Sequence, residues 1–135
     1  MLSSLKLRKL SPREFRGRSV LIVDESPYTR KLVIEMCRAL ETRQVTTALT
    51  PADAIDMMQI VTFDFIVCHW TQPPLDGPRF VASVRASQVP AIKRIPILLL
   101  ADGLEVENIE GGKTEVLRPP FSIQALAQKF EAIIL

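Results

Sequence analysis

His69, the one histidine in 135 residues, stands at the junction of two kinds of sequence. Before it, Phe65-Ile66-Val67-Cys68 is a short apolar run with aromatic and β-branched residues, the pattern of a strand buried on both faces. After it, Trp70-Thr71-Gln72-Pro73-Pro74-Leu75-Asp76-Gly77 carries two prolines and an Asp-Gly pair, which continue neither a strand nor a helix. The imidazole therefore sits at the carboxyl end of a strand, the edge where open parallel α/β sheets place ligands and chemistry. Asp24-Glu25 closes an earlier run, Ser19 to Val23, in the same way. An imidazole beside carboxylates can be a hydrogen-bonded structural group, can titrate as a pH sensor, or can accept a phosphoryl group at nitrogen.

The elements that must position these groups alternate along the chain. After Asp24-Glu25, Ser26-Pro27 supplies an N-cap and a proline at the first helical position, opening a helix to about Glu41 with Leu32, Met36 and Leu40 on one face. Gln44 to Leu49 reads as the second strand. Thr50-Pro51-Ala52-Asp53 repeats the capping logic and starts a helix with Ala54, Ile55 and Met58 inward. A helix from Pro78 to about Gln88 follows the His69 segment, burying Phe80, Val81 and Val84. Ile95 to Leu100 is the fourth strand, with Pro96 near its start where a missing N–H is tolerated. Leu104 to Glu110 has room for two helical turns at most before Gly111-Gly112. Thr114 to Leu117 is the fifth strand, and Ser122 caps a last helix carrying Ile123, Leu126, Ala127, Phe130 and Ile134. Strands alternating with helices in this way demand a parallel sheet covered on both faces.

Composition narrows the class. With 47% hydrophobic and 24% charged residues the chain reads as one ordinary globular domain. No apolar run approaches the ~20 residues of a membrane span, and the amino terminus lacks the apolar core and cleavage site of a secretory signal. Cys37 and Cys68 fall in apolar stretches without metal-ligand spacing, as expected of reduced core residues in a cytoplasmic protein. The net charge of +2 conceals an asymmetry: residues 1–18 hold six basic residues against Glu14 alone, leaving the rest at −3. Residues 1–17 thus form a basic leader to a mildly acidic domain, 18–135. Within the leader, Ser11-Pro12-Arg13-Glu14 has the form of a capping box, with Leu10 and Phe15 placed as a hydrophobic staple. Leu2, Leu5, Leu7 and Leu10, set among Lys6, Arg8 and Lys9, can extend it as an amphipathic segment. Packing on its own domain and docking on a partner both remain open for it. Nucleic-acid binding is weakly supported, since no DNA-reading motif follows.

In order and spacing, Asp24-Glu25, the segment from Trp70 to Gly77, and Arg118-Pro119 after the fifth strand resemble the receiver domain of bacterial two-component response regulators. The resemblance covers residues 18–135. It implies a flavodoxin-like doubly wound α/β fold with five parallel strands in the order 2-1-3-4-5, and a cis peptide at Arg118-Pro119. It also exposes departures. The phosphoacceptor aspartate is matched by His69, the hydroxyl residue ending strand four by Leu100, the switch aromatic by Glu115 and the conserved lysine by Arg118. The family's helix-four region, here Leu104 to Glu110, is abbreviated.

The resemblance implies a pocket charge of about −2 in an ordinary receiver, which Mg²⁺ neutralises, against about −1 here with a neutral imidazole. His69 or Arg118 is then expected to occupy the space of the ion, with metal binding lost or weak. The expected protein is a stand-alone pseudo-receiver, not an enzyme: a phosphorylation-independent interaction module in two-component signalling. Its expected partners are a histidine kinase, a phosphotransfer protein or another receiver. The competing expectation is a phosphorylation-switched, phosphotransfer or pH-sensing protein using His69. Trp70, Leu5, Lys6, Arg8, Lys9 and Phe15 are candidate contact residues, with Trp70 either exposed or a lid over His69.

Overall fold

The computed structural model describes residues 16–70, 77–101 and 113–134, apart from the side chains of Trp70 and Ile134. The described chain runs β1 (Ser19–Val23), α1 (Pro27–Ala39), β2 (Gln44–Ala48), α2 (Pro51–Ile60), β3 (Phe65–Trp70), α3 (Gly77–Arg85), α4 (Pro90–Lys93), β4 (Ile97–Ala101), β5 (Thr114–Leu117) and α5 (Ile123–Ile134). All four strand pairings are parallel, in the order β2-β1-β3-β4-β5. This is the expected doubly wound sheet. The leader residues through Phe15, the segment Leu104 to Glu110 and most of the loop after Trp70 lie outside the described residues.

Alternation along the buried strands splits the core into two layers. Val20, Ile22, Phe65, Val67, Leu98 and Leu100 face α1 and α5, meeting Val33, Met36, Cys37, Leu126 and Phe130. The rings of Phe65 and Phe130 are 4.2 Å apart at 48°, pinning α5 to the central strand. Leu21, Val23, Ile66, Cys68, Ile97 and Leu99 face the opposite way, toward Ala54 and Met58 of α2 and Phe80, Val81 and Val84 of α3. In α1 the inward stripe is Val33, Met36, Cys37 and Leu40, while Leu32 is partly exposed. Residues three and four apart share a helix face, and Val33 rather than Leu32 has the right phase with Met36 and Leu40. Ile133, not anticipated in the inward set of α5, is buried.

Local chemistry sets the ends. Ser26 and Thr50 accept from the N–H groups of Thr29 and Asp53, three residues on, and proline follows each cap. At the close of α1, Thr42 N–H reaches Cys37 O at 3.2 Å and Glu41 N–H reaches Arg38 O at 3.0 Å. This is a Schellman motif, with Glu41 in the left-handed region at φ 65°. The expected long helix after the His69 segment ends at Arg85, and the single turn α4 follows. Strand β4 starts at Ile97 instead of Ile95, because Ile95 N–H is still bonded to Ile92 O. The cis peptide falls at Pro119-Pro120 instead of Arg118-Pro119. Both bonds are tertiary amides with a small trans preference, so residue type alone does not choose between them.

One arginine ties the far corner together. Arg85 donates to Lys93 O (2.9 Å), Ile95 O (2.7 Å), Lys113 O (3.1 Å) and Thr114 Oγ1 (2.9 Å). It therefore joins α3 to α4 and to the starts of β4 and β5, and burial lowers its pKa from the ordinary arginine value.

Candidate functional site

The site follows from strand register. In the β1–β3 ladder Val20 lies opposite Phe65 and Val23 opposite Cys68. One more step sets Asp24 opposite His69. Asp24 has the parity of Val20 and Ile22, and His69 that of Phe65 and Val67, so both side chains point to the layer of α1 and α5. They meet there: His69 Nδ1 is 3.0 Å from Asp24 Oδ1, with side chains only 5% and 1% exposed.

A carboxylate oxygen only accepts, so Nδ1 carries the hydrogen of this bond. Asp24 Oδ1 also accepts from Ser26 N–H at 2.9 Å, a local turn that couples the carboxylate to the first turn of α1. The Asp24 backbone is tied on both sides: its N–H donates to Ala48 O at 3.0 Å, and its carbonyl accepts from Arg30 Nη1 at 3.0 Å. Asp24 Oδ2 and His69 Nε2 are buried without a hydrogen-bond partner among the described residues. On the reverse face of β3, burial pushes the Cys68 thiol pKa up, and the charge of Asp24 raises it further.

The remaining sequence-predicted positions differ in burial from this pair or lie on other strands. Glu25 is exposed: beyond β1 the chain turns it outward where Asp24 turns inward. Arg118 is exposed as well, so the group set against Asp24 is the imidazole. Leu100 pairs with His69 in the β3–β4 ladder and is completely buried, but the residue that ends β4 is Ala101, opposite Trp70. Neither Leu100 nor Ala101 has a hydroxyl. β3 itself continues through His69 to Trp70, because β4 extends the ladder beneath both. Glu115 lies at the outer strand, where Lys129 Nζ of α5 approaches its Oε1 at 3.2 Å.

Among the described residues no three side chains of the histidine, cysteine, aspartate and glutamate types come together to hold a metal ion. Asp24 Oδ1 already receives two N–H groups, and Glu25 is exposed. Sequence reasoning set His69 beside Asp24 and Glu25; that Asp24 is its hydrogen-bond partner needed the register. It missed Ser26 and Arg30 as supports of Asp24, although the helix-start signal at Ser26 was visible.

Strand order, and a polar pair at the carboxyl ends of the two central strands, define the class as a receiver-type signalling domain. The response regulator receiver domain profile matches residues 20–131, and the chain belongs to that family. It is 25% identical over 122 residues to the chemotaxis protein CheY-3 of Vibrio cholerae, covering 87% of this chain and 92% of that one. Among solved structures it resembles the chemotaxis response regulator CheY4 of Vibrio cholerae, with a TM-score of 0.70, 25% identity and coverage of 86% and 98%. It also resembles the receiver domain of a Pseudomonas aeruginosa sensor histidine kinase, whose structure has magnesium coordinated in the active-site cleft (TM-score 0.73, 24% identity, coverage 87% and 98%). No helix among the described residues is long and apolar enough to cross a membrane. The protein is a receiver domain of two-component signalling.

Proposed function

We propose that this receiver works as a phosphorylation-independent interaction module, with its phosphoacceptor pocket closed by the His69–Asp24 contact. The observation that carries the reading is the 3.0 Å hydrogen bond from the imidazole at the acceptor position to Asp24. An aspartate there would supply a carboxylate nucleophile and a metal ligand; the imidazole supplies an N–H that occupies the neighbouring carboxylate instead. Its free nitrogen is buried, and Leu100 and Ala101 provide no hydroxyl to orient a phosphoryl group. In this reading the protein has no catalytic step, requires no Mg²⁺, and acts in the cytoplasm by contact with a histidine kinase, a phosphotransfer protein or another receiver. The outer face of α1 supports such contact: Tyr28 is 84% exposed, and Leu32, one turn on, is partly exposed.

A second reading rests on His69 Nε2, which lacks a hydrogen-bond partner among the described residues. There the ring itself is the switch, by phosphorylation at that nitrogen or by titration against Asp24. An amide-resolved NMR titration with Mg²⁺, then with phosphoramidate, separates the two. The closed module gives no saturable shifts at Asp24, Glu25 and His69 and no phosphorylated species. A phosphohistidine, or a pH titration of the ring that moves α1, would establish the second reading. His69→Asp supplies the control: if it gains metal binding and accepts phosphoryl groups, the histidine alone closes the site.

A further inference from the structure

A cleft of about 180 Å³ opens at the amino-terminal edge of the sheet, at the opposite end of the strands from His69. One wall is the end of α2 with the loop that follows, Met58 to Phe63; the other is Val89 with Ile92 of α4. Ile60, Val61 and Val89 line it and are 85%, 48% and 45% exposed, half of the large apolar residues exposed among those described. Gln59 and Thr62 are exposed beside them, so the lining is mixed in character. The volume falls below the roughly 300–1,000 Å³ of small-molecule pockets, which suits one anchoring side chain of a protein segment better than an enclosed ligand.

The charge around this cleft is one-sided. Between Gly77 and Ala101 the chain carries Arg79, Arg85, Lys93 and Arg94 and no aspartate or glutamate. Lys93 and Arg94 are exposed and stand between the lining residues Ile92 and Ile95. Lys113, whose carbonyl accepts from Ile97 N–H at 2.8 Å, is exposed beside the start of β4. None of these three makes an ion pair with a described residue. Asp64, just before β3, is already engaged: it accepts from Ser19 N–H at 2.7 Å and Ser19 Oγ at 3.1 Å, and Arg18 Nη1 approaches it at 3.5 Å. Asp56, one turn before Ile60, is exposed on the helix that forms the opposite wall. The basic side of the cleft is therefore the α4 side.

We propose that this cleft docks an acidic segment of a partner protein, with one large apolar side chain seated against Ile60, Val61 and Val89 and carboxylates lying over Lys93, Arg94 and Lys113. The anchor supplies affinity, while the complementary charge at the rim fixes orientation and speeds encounter. Asp56 repels the same carboxylates and so sets the direction in which the segment lies. The surface is at the far end of the strands from His69 and across the sheet from α1. It is thus separate from the contact face proposed for α1.

An NMR titration of the isotope-labelled full chain with a short synthetic peptide, glutamates around a central leucine and phenylalanine, tests this. The expected result is saturable shifts of the Ile60, Val61, Val89 and Ile92 amides, weakening as salt is raised. Lys93→Glu together with Arg94→Glu should weaken the binding roughly tenfold or more. Val61→Ser, at a half-exposed position away from the charged rim, should also weaken it while the remaining signals stay in place. The same peptide with lysine for glutamate should leave the cleft amides unmoved. Equal shifts with the lysine peptide, or acidic-peptide binding unchanged in either variant, would overturn the proposal. So would an acidic peptide without effect, or shifts produced only by vesicles of anionic lipid, which would assign the surface to a membrane.

Discussion

The Nδ1 of His69 donates to the Oδ1 of Asp24 at 3.0 Å inside a pocket that leaves the two side chains 5% and 1% exposed. At that burial neither group has water to replace its partner. Breaking a buried pair by removing one side costs about 3–5 kcal/mol, because the other is stranded. His69→Ala is therefore expected to lower the urea-unfolding free energy by that amount. Asp24→Asn, which keeps an oxygen acceptor for Nδ1, is expected to cost about 1–2 kcal/mol. Equal losses in the two variants would show that the carboxylate charge, and not the hydrogen bond alone, carries the contact.

Arg85 holds the corner where β5 joins the sheet. Its hydrogen bonds run to Lys93, Ile95, Lys113 and Thr114, none of which is a neighbour in sequence. Arg85→Ala is expected to destabilise by about 1.5–3 kcal/mol, the range for hydrogen bonds to a charged group. Hydrogen exchange gives the sharper measurement: amides of Thr114 to Leu117 should lose protection more than those of β1 and β3. Uniform loss across the sheet would make Arg85 an ordinary surface contributor.

Glu41 occupies a left-handed position that side chains other than glycine adopt at a cost. Glu41→Gly removes that cost and keeps the Schellman hydrogen bonds, at the expense of a 3.9 Å pair with Arg16 that is about half exposed. The net expectation is a gain of about 1 kcal/mol, read as a higher thermal midpoint. A lower midpoint would mean that the exposed pair outweighs the backbone strain.

Burial sets the pH response of the thiols. Cys37 is pushed up from 9.0 to about 12 by desolvation, and Cys68 is raised by desolvation and by Asp24. The folded state holds protons that the unfolded chain releases near 9.0, so above that pH the unfolded state binds fewer protons and stability falls. The contribution is fully present below pH 9 and is lost as pH rises toward 12. The urea midpoint should drop as the pH rises above 9.0, and less so in a Cys37→Ala, Cys68→Ala double variant. Identical slopes would remove the thiols from the account. The native thiols should also resist a disulfide reagent that labels them in urea.

Much of the fold is written locally. Apolar strand runs, Ser26-Pro27, Thr50-Pro51 and the alternation of strands with helices require a covered parallel sheet, and its order came through resemblance to a family. The resemblance also singled out His69 where an aspartate belongs. Errors arose where one residue of phase mattered: Val33 against Leu32 in α1, and Ile97 against Ile95 at the start of β4. Propensity is nearly indifferent to a single-residue shift, whereas packing is not.

Sequence by itself determined which groups stand at the carboxyl ends of the strands: Asp24, Glu25, His69 and Arg118. Only the tertiary structure decided which of them meet. Asp24 and His69 are 45 residues apart, and their contact depends on the β1–β3 register, which is a property of two strands together. The adjacent Glu25 is exposed for the complementary reason. At a strand end successive side chains point opposite ways, and the register buries only one of them.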